Sequence, residues 1–294
     1  MLIERNISKY KSIWVSALIM VLIISCYPDE TLNEAVKDSD VELISALDKY
    51  IQDHFIEEYG IAVRYRFVDR YVNPGERVTP PRLEVVRPML DFIDYYWIGP
   101  YLDIENGEEF FREHVPAEIV LLGGQIFNPD GTVTLGTADA GVRITFTNVN
   151  EIDTTDIAWR TLQLQVVYHE FAHIVHQRYK LPSAFETITP TGYTGPGSWF
   201  VLTDEDALAR GFVSPYATSN QNEDFAETVA FYLFDPDFHD NYINPTENCD
   251  SEECILQNEG KAKIQEKLSS ISEHYQKVTG VNLTELREAI QARL

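Results

Sequence analysis

Between Val166 and His176 the chain reads Val-Val-Tyr-His-Glu-Phe-Ala-His-Ile-Val-His. His169 and His173 are four residues apart, and on an α-helix such residues stack on one face, one turn apart. Two imidazoles so placed can hold one metal ion, and zinc suits them. Glu170, beside the first His, is placed to reach a water on that ion and take its proton. The chemistry of an H-E-x-x-H helix is therefore metal-assisted hydrolysis. Two imidazoles do not complete such a site, because a catalytic zinc takes three protein ligands and keeps one position open.

The motif must lie on a helix. The run from Asp156 to Gln177 contains no Pro or Gly, Pro182 lies just past it, and Thr154 or Thr155 can cap its start. A third ligand must come from elsewhere. The strongest candidate is Ser219-Asn220-Gln221-Asn222-Glu223-Asp224-Phe225-Ala226-Glu227. Ser219 or Asn220 can cap a second helix that ends at Asp235-Pro236, and Glu223 and Glu227 share one of its faces. Glu223 as ligand competes with Glu227, with Asp204 or Glu205, and with the plain reading of a helix acid near its N-terminus. His176, seven residues after His169, reads as a core histidine or one that supports a ligand. Between these helices, Ser183 to Trp199 is a long loop dense in Thr, Gly and Pro, which suits a cleft rim. Asp204 to Arg210 is a short helix stopped by Gly211.

The first half of the chain reads differently. A helix is expected from Asp40 to Phe55 before Gly60, then a strand over Ile61–Val68. Asn73-Pro74-Gly75 and Pro80-Pro81 mark a loop, and a helix follows over Leu83–Trp97, stopped by Gly99-Pro100. A short helix near Glu108–Glu113 precedes a strand from Glu118 to Leu122. Asn128-Pro129-Asp130-Gly131 is a turn between two extended runs, and Val142–Thr147 alternates as a sheet strand. That strand is expected to line the cleft and to pair with an extended substrate. The helices after Asp250 carry apolar positions such as Ile264, Leu268 and Ile271, with a solvated charged face and no chemistry assigned. The fold class expected is α+β, with a small mixed sheet in the N-terminal half and a helical C-terminal half. The domain reading is residues 1–25 as a signal peptide, 26–38 as an acidic tether, and 39–294 as one catalytic domain with 39–150 α+β and 151–294 helical.

Arg5, Lys9 and Lys11 precede an apolar run from Ile13 to Ile24, too short for a comfortable membrane span. It ends in Ile23-Ile24-Ser25-Cys26, which resembles a bacterial lipobox and implies acylation of Cys26, palmitate included, with a signal anchor as the alternative. Asp29 and Glu30 resemble the acidic signal that sends some lipoproteins to the outer face of the outer membrane. Outside the cytoplasm the remaining cysteines, Cys249 and Cys254, can pair as a disulfide. Free thiols are the alternative, and a metal site is disfavoured because no His adjoins them. The net charge is −24, which excludes nucleic acid as a ligand and leaves membrane contact to the lipid anchor alone.

The helix with Asn222-Glu223 followed by Glu227 resembles the third-ligand helix of the gluzincin peptidases, the thermolysin-like group. That resemblance implies a zincin-like fold, one zinc ion on His169, His173 and Glu223, Glu170 as the catalytic base, and Glu227 hydrogen-bonded to a ligand His. The gap from His173 to Glu223 is similar to that in the catalytic domain of anthrax lethal factor. This likeness implies that Tyr216, seven residues before Glu223, stabilises an oxyanion; a plain packing aromatic is the alternative. Metzincins do not match, because His176 and Tyr179 stand where they need Gly and His. Lipobox, motif and acidic helix together resemble the zinc metallohydrolase lipoproteins associated with TonB-dependent importers. The function expected is a zinc metallopeptidase, lipid-anchored to the outer membrane on its periplasmic or cell-surface side. It would act on a peptide or protein, with an outer-membrane TonB-dependent importer complex as partner. The alternatives are a non-catalytic peptide- or glycan-binding lipoprotein of an import complex, and a zinc hydrolase with a non-peptide substrate.

Overall fold

The first helical stretch ends where the chain must turn. It runs through α1 (Ala46–Ile51), a π turn (Gln52–Ile56) and α2 (Glu57–Tyr59), and stops at Gly60, whose φ of 74° is the left-handed conformation a helix stop favours. The computed structural model describes residues 45–127, 133–134, 136–139, 142–195 and 197–294. The expectations for the signal peptide, Cys26, the tether, the Asp40 cap and the Asn128–Gly131 turn lie outside these residues. Leu47 to Leu294 form one compact unit.

The expected strand over residues 61–68 is shorter, as β1 (Ala62–Arg64). Helix α3 (Leu83–Ile93) runs on through a π turn (Asp94–Ile98) into α4 (Gly99–Leu102). Gly99-Pro100 therefore does not end the helix as expected. Pro100 falls at the junction where the π turn passes into α4. Leu83, expected on the apolar side, is exposed. Next come α5 (Gly107–His114), β2 (Glu118–Leu121), β3 (Ile126–Phe127), β4 (Val133–Thr134), β5 (Gly136–Asp139) and β6 (Arg143–Phe146). The main sheet has the order β1-β2-β6-β5, parallel across β1, β2 and β6, with β5 antiparallel. β6 is hydrogen-bonded on both sides, so it cannot take a substrate strand as expected.

The second half is helical: α6 (Ile157–Tyr179), α7 (Asp204–Arg210), α8 (Gln221–Phe234), α9 (Phe238–Tyr242), α10 (Glu252–Thr279) and α11 (Leu283–Gln291). The architecture is mixed α+β, mostly helical, with a small sheet. The cap of α6 is Asp156, which accepts from the N–H groups of Ala158 and Trp159, not Thr154 or Thr155. Thr155 bonds Asp153 instead. One face of α6 enters an aromatic core in which Phe171 meets Trp97, Tyr101, Phe110 and Phe111 at centroid distances of 5.4–5.8 Å. These contacts, three of them edge-on, fix the helix's rotation, and with it the direction of its histidines. Gly260 lets α10 lie directly on α7, since a Cβ there would sit 1.7 Å from the Leu208 carbonyl oxygen. A disulfide joins Cys249, ahead of α10, to Cys254 in the first turn of α10. Among the described residues no helix is long and apolar enough to cross a membrane.

Candidate metal centre

α8 lies against the His-bearing face of α6. Asn220 caps it by accepting from the N–H groups of Asn222 and Glu223, which fixes the first turn and presents Glu223 toward α6. His169 Nε2 and His173 Nε2 are 3.0 Å apart, and Glu223 Oε2 lies 3.1 Å from the first and 3.2 Å from the second. Around a tetrahedral zinc with bonds of about 2.0–2.1 Å, neighbouring ligand atoms are about 3.3 Å apart. The three donors thus have the types and spacing that hold zinc. The Glu170 carboxylate joins the group, with an oxygen within 4.8 Å of the histidine nitrogens.

Each imidazole is held from behind. Glu227 is 2 % exposed and accepts from His169 Nδ1 at 2.7 Å, which leaves Nε2 facing Glu223. Its other oxygen accepts from Ser214 Oγ at 2.6 Å, and Ser214 Oγ accepts from the Ala217 N–H at 3.1 Å. Both Glu227 oxygens are thus engaged away from the paired Nε2 atoms. His173 Nδ1 lies 2.8 Å from His176 Nε2. Burial first, then the neighbouring His173, lowers His176 to about 4, so its ring stays neutral and can accept from His173. Asp204 and Glu205 are exposed in the first turn of α7, and Thr203 caps that helix.

Electrostatically the centre calls for positive charge. Burial alone would lower His169, but Glu223 and Glu227 overcome it and raise His169 to about 10. Burial alone would raise Glu223, but His169 and His173 hold it well below the ordinary carboxylate range. Tyr216 flanks the site, its ring 5.9 Å from that of His169. Burial, then the charges of Glu223 and Glu170, push its hydroxyl well up, so it stays protonated and able to donate at neutral pH.

Three supports behind the site had no sequence signal. Asp224, next to Glu223, is fully buried against Lys267 of α10 at 2.8 Å. It also accepts from Tyr193 of the 183–199 loop at 2.8 Å. Lys267 donates to the Gly211 carbonyl at 2.7 Å and lies 3.8 Å from the Phe212 ring centroid. Lys267 contradicts the expectation of a wholly solvated charged face on the last helices. The third support, Ser214, lies in a loop where nothing in the spacing marks it.

The family model described as "Putative zinc-binding metallo-peptidase" matches residues 42–284. A solved structure, "Crystal structure of a putative zinc-binding metallo-peptidase from Bacteroides caccae", is 26% identical over 84% of this chain and 90% of that one, with a TM-score of 0.67. No curated protein matches. With the family match extending over the His pair, Glu223 and the sheet that backs them, the chain belongs to this zinc-binding metallo-peptidase family.

Proposed function

We propose that this chain is a gluzincin-type zinc peptidase that hydrolyses peptide bonds with one zinc held by His169, His173 and Glu223. The observation that carries the reading is the convergence of two Nε2 atoms and one carboxylate oxygen within 3.0–3.2 Å of one another. Zinc bound there supplies Lewis acidity and makes water a nucleophile near neutral pH. Glu170 takes the proton of the attacking water and passes it to the leaving amine, as a carboxylate beside the first ligand can. Tyr216 donates its hydroxyl hydrogen to the oxygen that gains charge during attack. Glu227 and His176 keep His169 and His173 turned inward.

The test is a peptide-library digest with the zinc-loaded protein and its Glu170→Gln variant. Cleavage by the wild type alone is expected. Equal cleavage by both removes Glu170 from the mechanism, and no cleavage by zinc-loaded wild type sinks the peptidase reading.

The same proposal places the enzyme outside the cytoplasm, anchored by a lipid on Cys26 at the outer membrane and serving a TonB-dependent importer. The lipobox-like Ile23–Cys26 supports this, as does the Cys249–Cys254 disulfide, which suits an oxidising compartment. A Cys26→Ser variant that fractionates with membranes as the wild type does would refute the anchor.

A further inference from the structure

Beside the zinc ligands the chain exposes apolar side chains that its core does not use. Phe200 is 65 % exposed and Val201 70 %, on a short 3-10 turn (Trp199–Val201) at the end of the rim loop. The half-buried Trp199 links them to the site: its ring lies 6.1 Å from Phe200 and 5.1 Å from Tyr216, whose ring is 5.9 Å from His169. An extended peptide rising about 3.3–3.6 Å per residue covers these two steps from the zinc ligand to the indole in about three residues.

The loop upstream of the turn is tied to α8 and to the 3-10 turn Tyr216–Ser219 that precedes it. Tyr193 donates to Asp224 at 2.8 Å. The Thr194 N–H donates to the Thr218 carbonyl at 2.8 Å, and the two threonine hydroxyls are 3.0 Å apart. Trp199, packed on Tyr216, holds the apolar surface beside the candidate centre, the preorganisation that substrate recognition needs.

We propose that Trp199, Phe200 and Val201 form a shelf that receives a bulky apolar side chain of a peptide substrate, about two or three residues from the scissile bond. The inference rests on the peptidase reading and names the substrate class of that site. A lipid surface is the poorer fit, because exposed Asp204, Glu205 and Asp206 follow immediately and the chain carries −24, which anionic headgroups repel.

The experiment compares zinc-loaded wild type with a Phe200→Ser/Val201→Ser variant on peptides that vary one position at a time. Both residues are exposed, so the fold should survive, and unchanged zinc content and thermal midpoint would check that. The wild type should favour Leu, Phe or Trp over Ser at one position near the cut. In the variant the ratio of kcat/KM between those peptides should fall about tenfold, the scale of a lost apolar contact. Active enzymes with identical profiles would overturn the shelf while leaving the peptidase standing. Absence of cleavage of every peptide by wild type would remove the peptidase reading and the shelf with it.

Discussion

Lys267 Nζ lies 2.8 Å from Asp224 Oδ2 with both side chains wholly buried, and Asp224 is the neighbour of Glu223 on α8. Burial pulls Lys267 below its ordinary range and Asp224 above its own, so each ion is kept in the interior by the other. Removing one partner strands a buried charge. Lys267→Met should destabilise the protein by about 3–5 kcal/mol, and adding Asp224→Asn should recover part of that loss. Urea denaturation of the three proteins measures both numbers. A cost under about 1 kcal/mol would show that the pair does not hold α8 and α10 together.

A second expectation concerns the support behind His169. Glu227→Ala removes the acceptor that fixes the ring and leaves the Ser214 hydroxyl without its partner. Zinc affinity should weaken about 10–100-fold, with a smaller loss for Ser214→Ala. Competition with a chromogenic chelator gives both values. Equal affinities across the three proteins would remove Glu227 from the support of His169.

Much of this centre was readable as spacing. A four-residue repeat on a helix fixes a shared face, so His169 with His173 and Glu223 with Glu227 follow from periodicity. The strands over 118–122 and 142–147 were legible from β-branched and apolar runs. The supports were not, because Ser214 meets Glu227 across 13 residues and Asp224 meets Lys267 across 43, and no local pattern links them. Lys267 in particular sits among charged neighbours on a long helix, and only the packing of α10 on Gly211 and Phe212 turns it inward. Pro100 misled for a related reason: a π turn is set by how a helix packs, and composition does not announce it.

Tyr216 should matter to turnover and not to the metal. Its hydroxyl stays protonated across neutral pH, so Tyr216→Phe removes a donor while keeping the ring against Trp199 and His169. The expected loss is about 10²–10³-fold in kcat on any cleaved peptide, with zinc content unchanged. Steady-state kinetics beside metal analysis decide it. A variant within threefold of wild type would reduce Tyr216 to a packing role.

Acid stability should depend on His114, far from His169, His173 and Glu223 in sequence and buried in the N-terminal half. Its Nδ1 donates to the Phe110 carbonyl at 2.6 Å, and Nε2 accepts from the Tyr179 hydroxyl at 3.0 Å. Burial lowers its pKa below the ordinary 6.5, outweighing the Phe110 carbonyl, so the folded protein keeps the ring neutral where the unfolded chain protonates it. The unfolded state then binds more protons, and stability falls as pH drops below about 6.5, by at most about 1.4 kcal/mol per pH unit from this one group. Above that pH the group contributes no slope. His114→Gln keeps a donor for Phe110 without titrating, so its urea midpoint should fall less than that of wild type between pH 7 and pH 5.5. Parallel declines in the two proteins would assign the acid sensitivity to other groups.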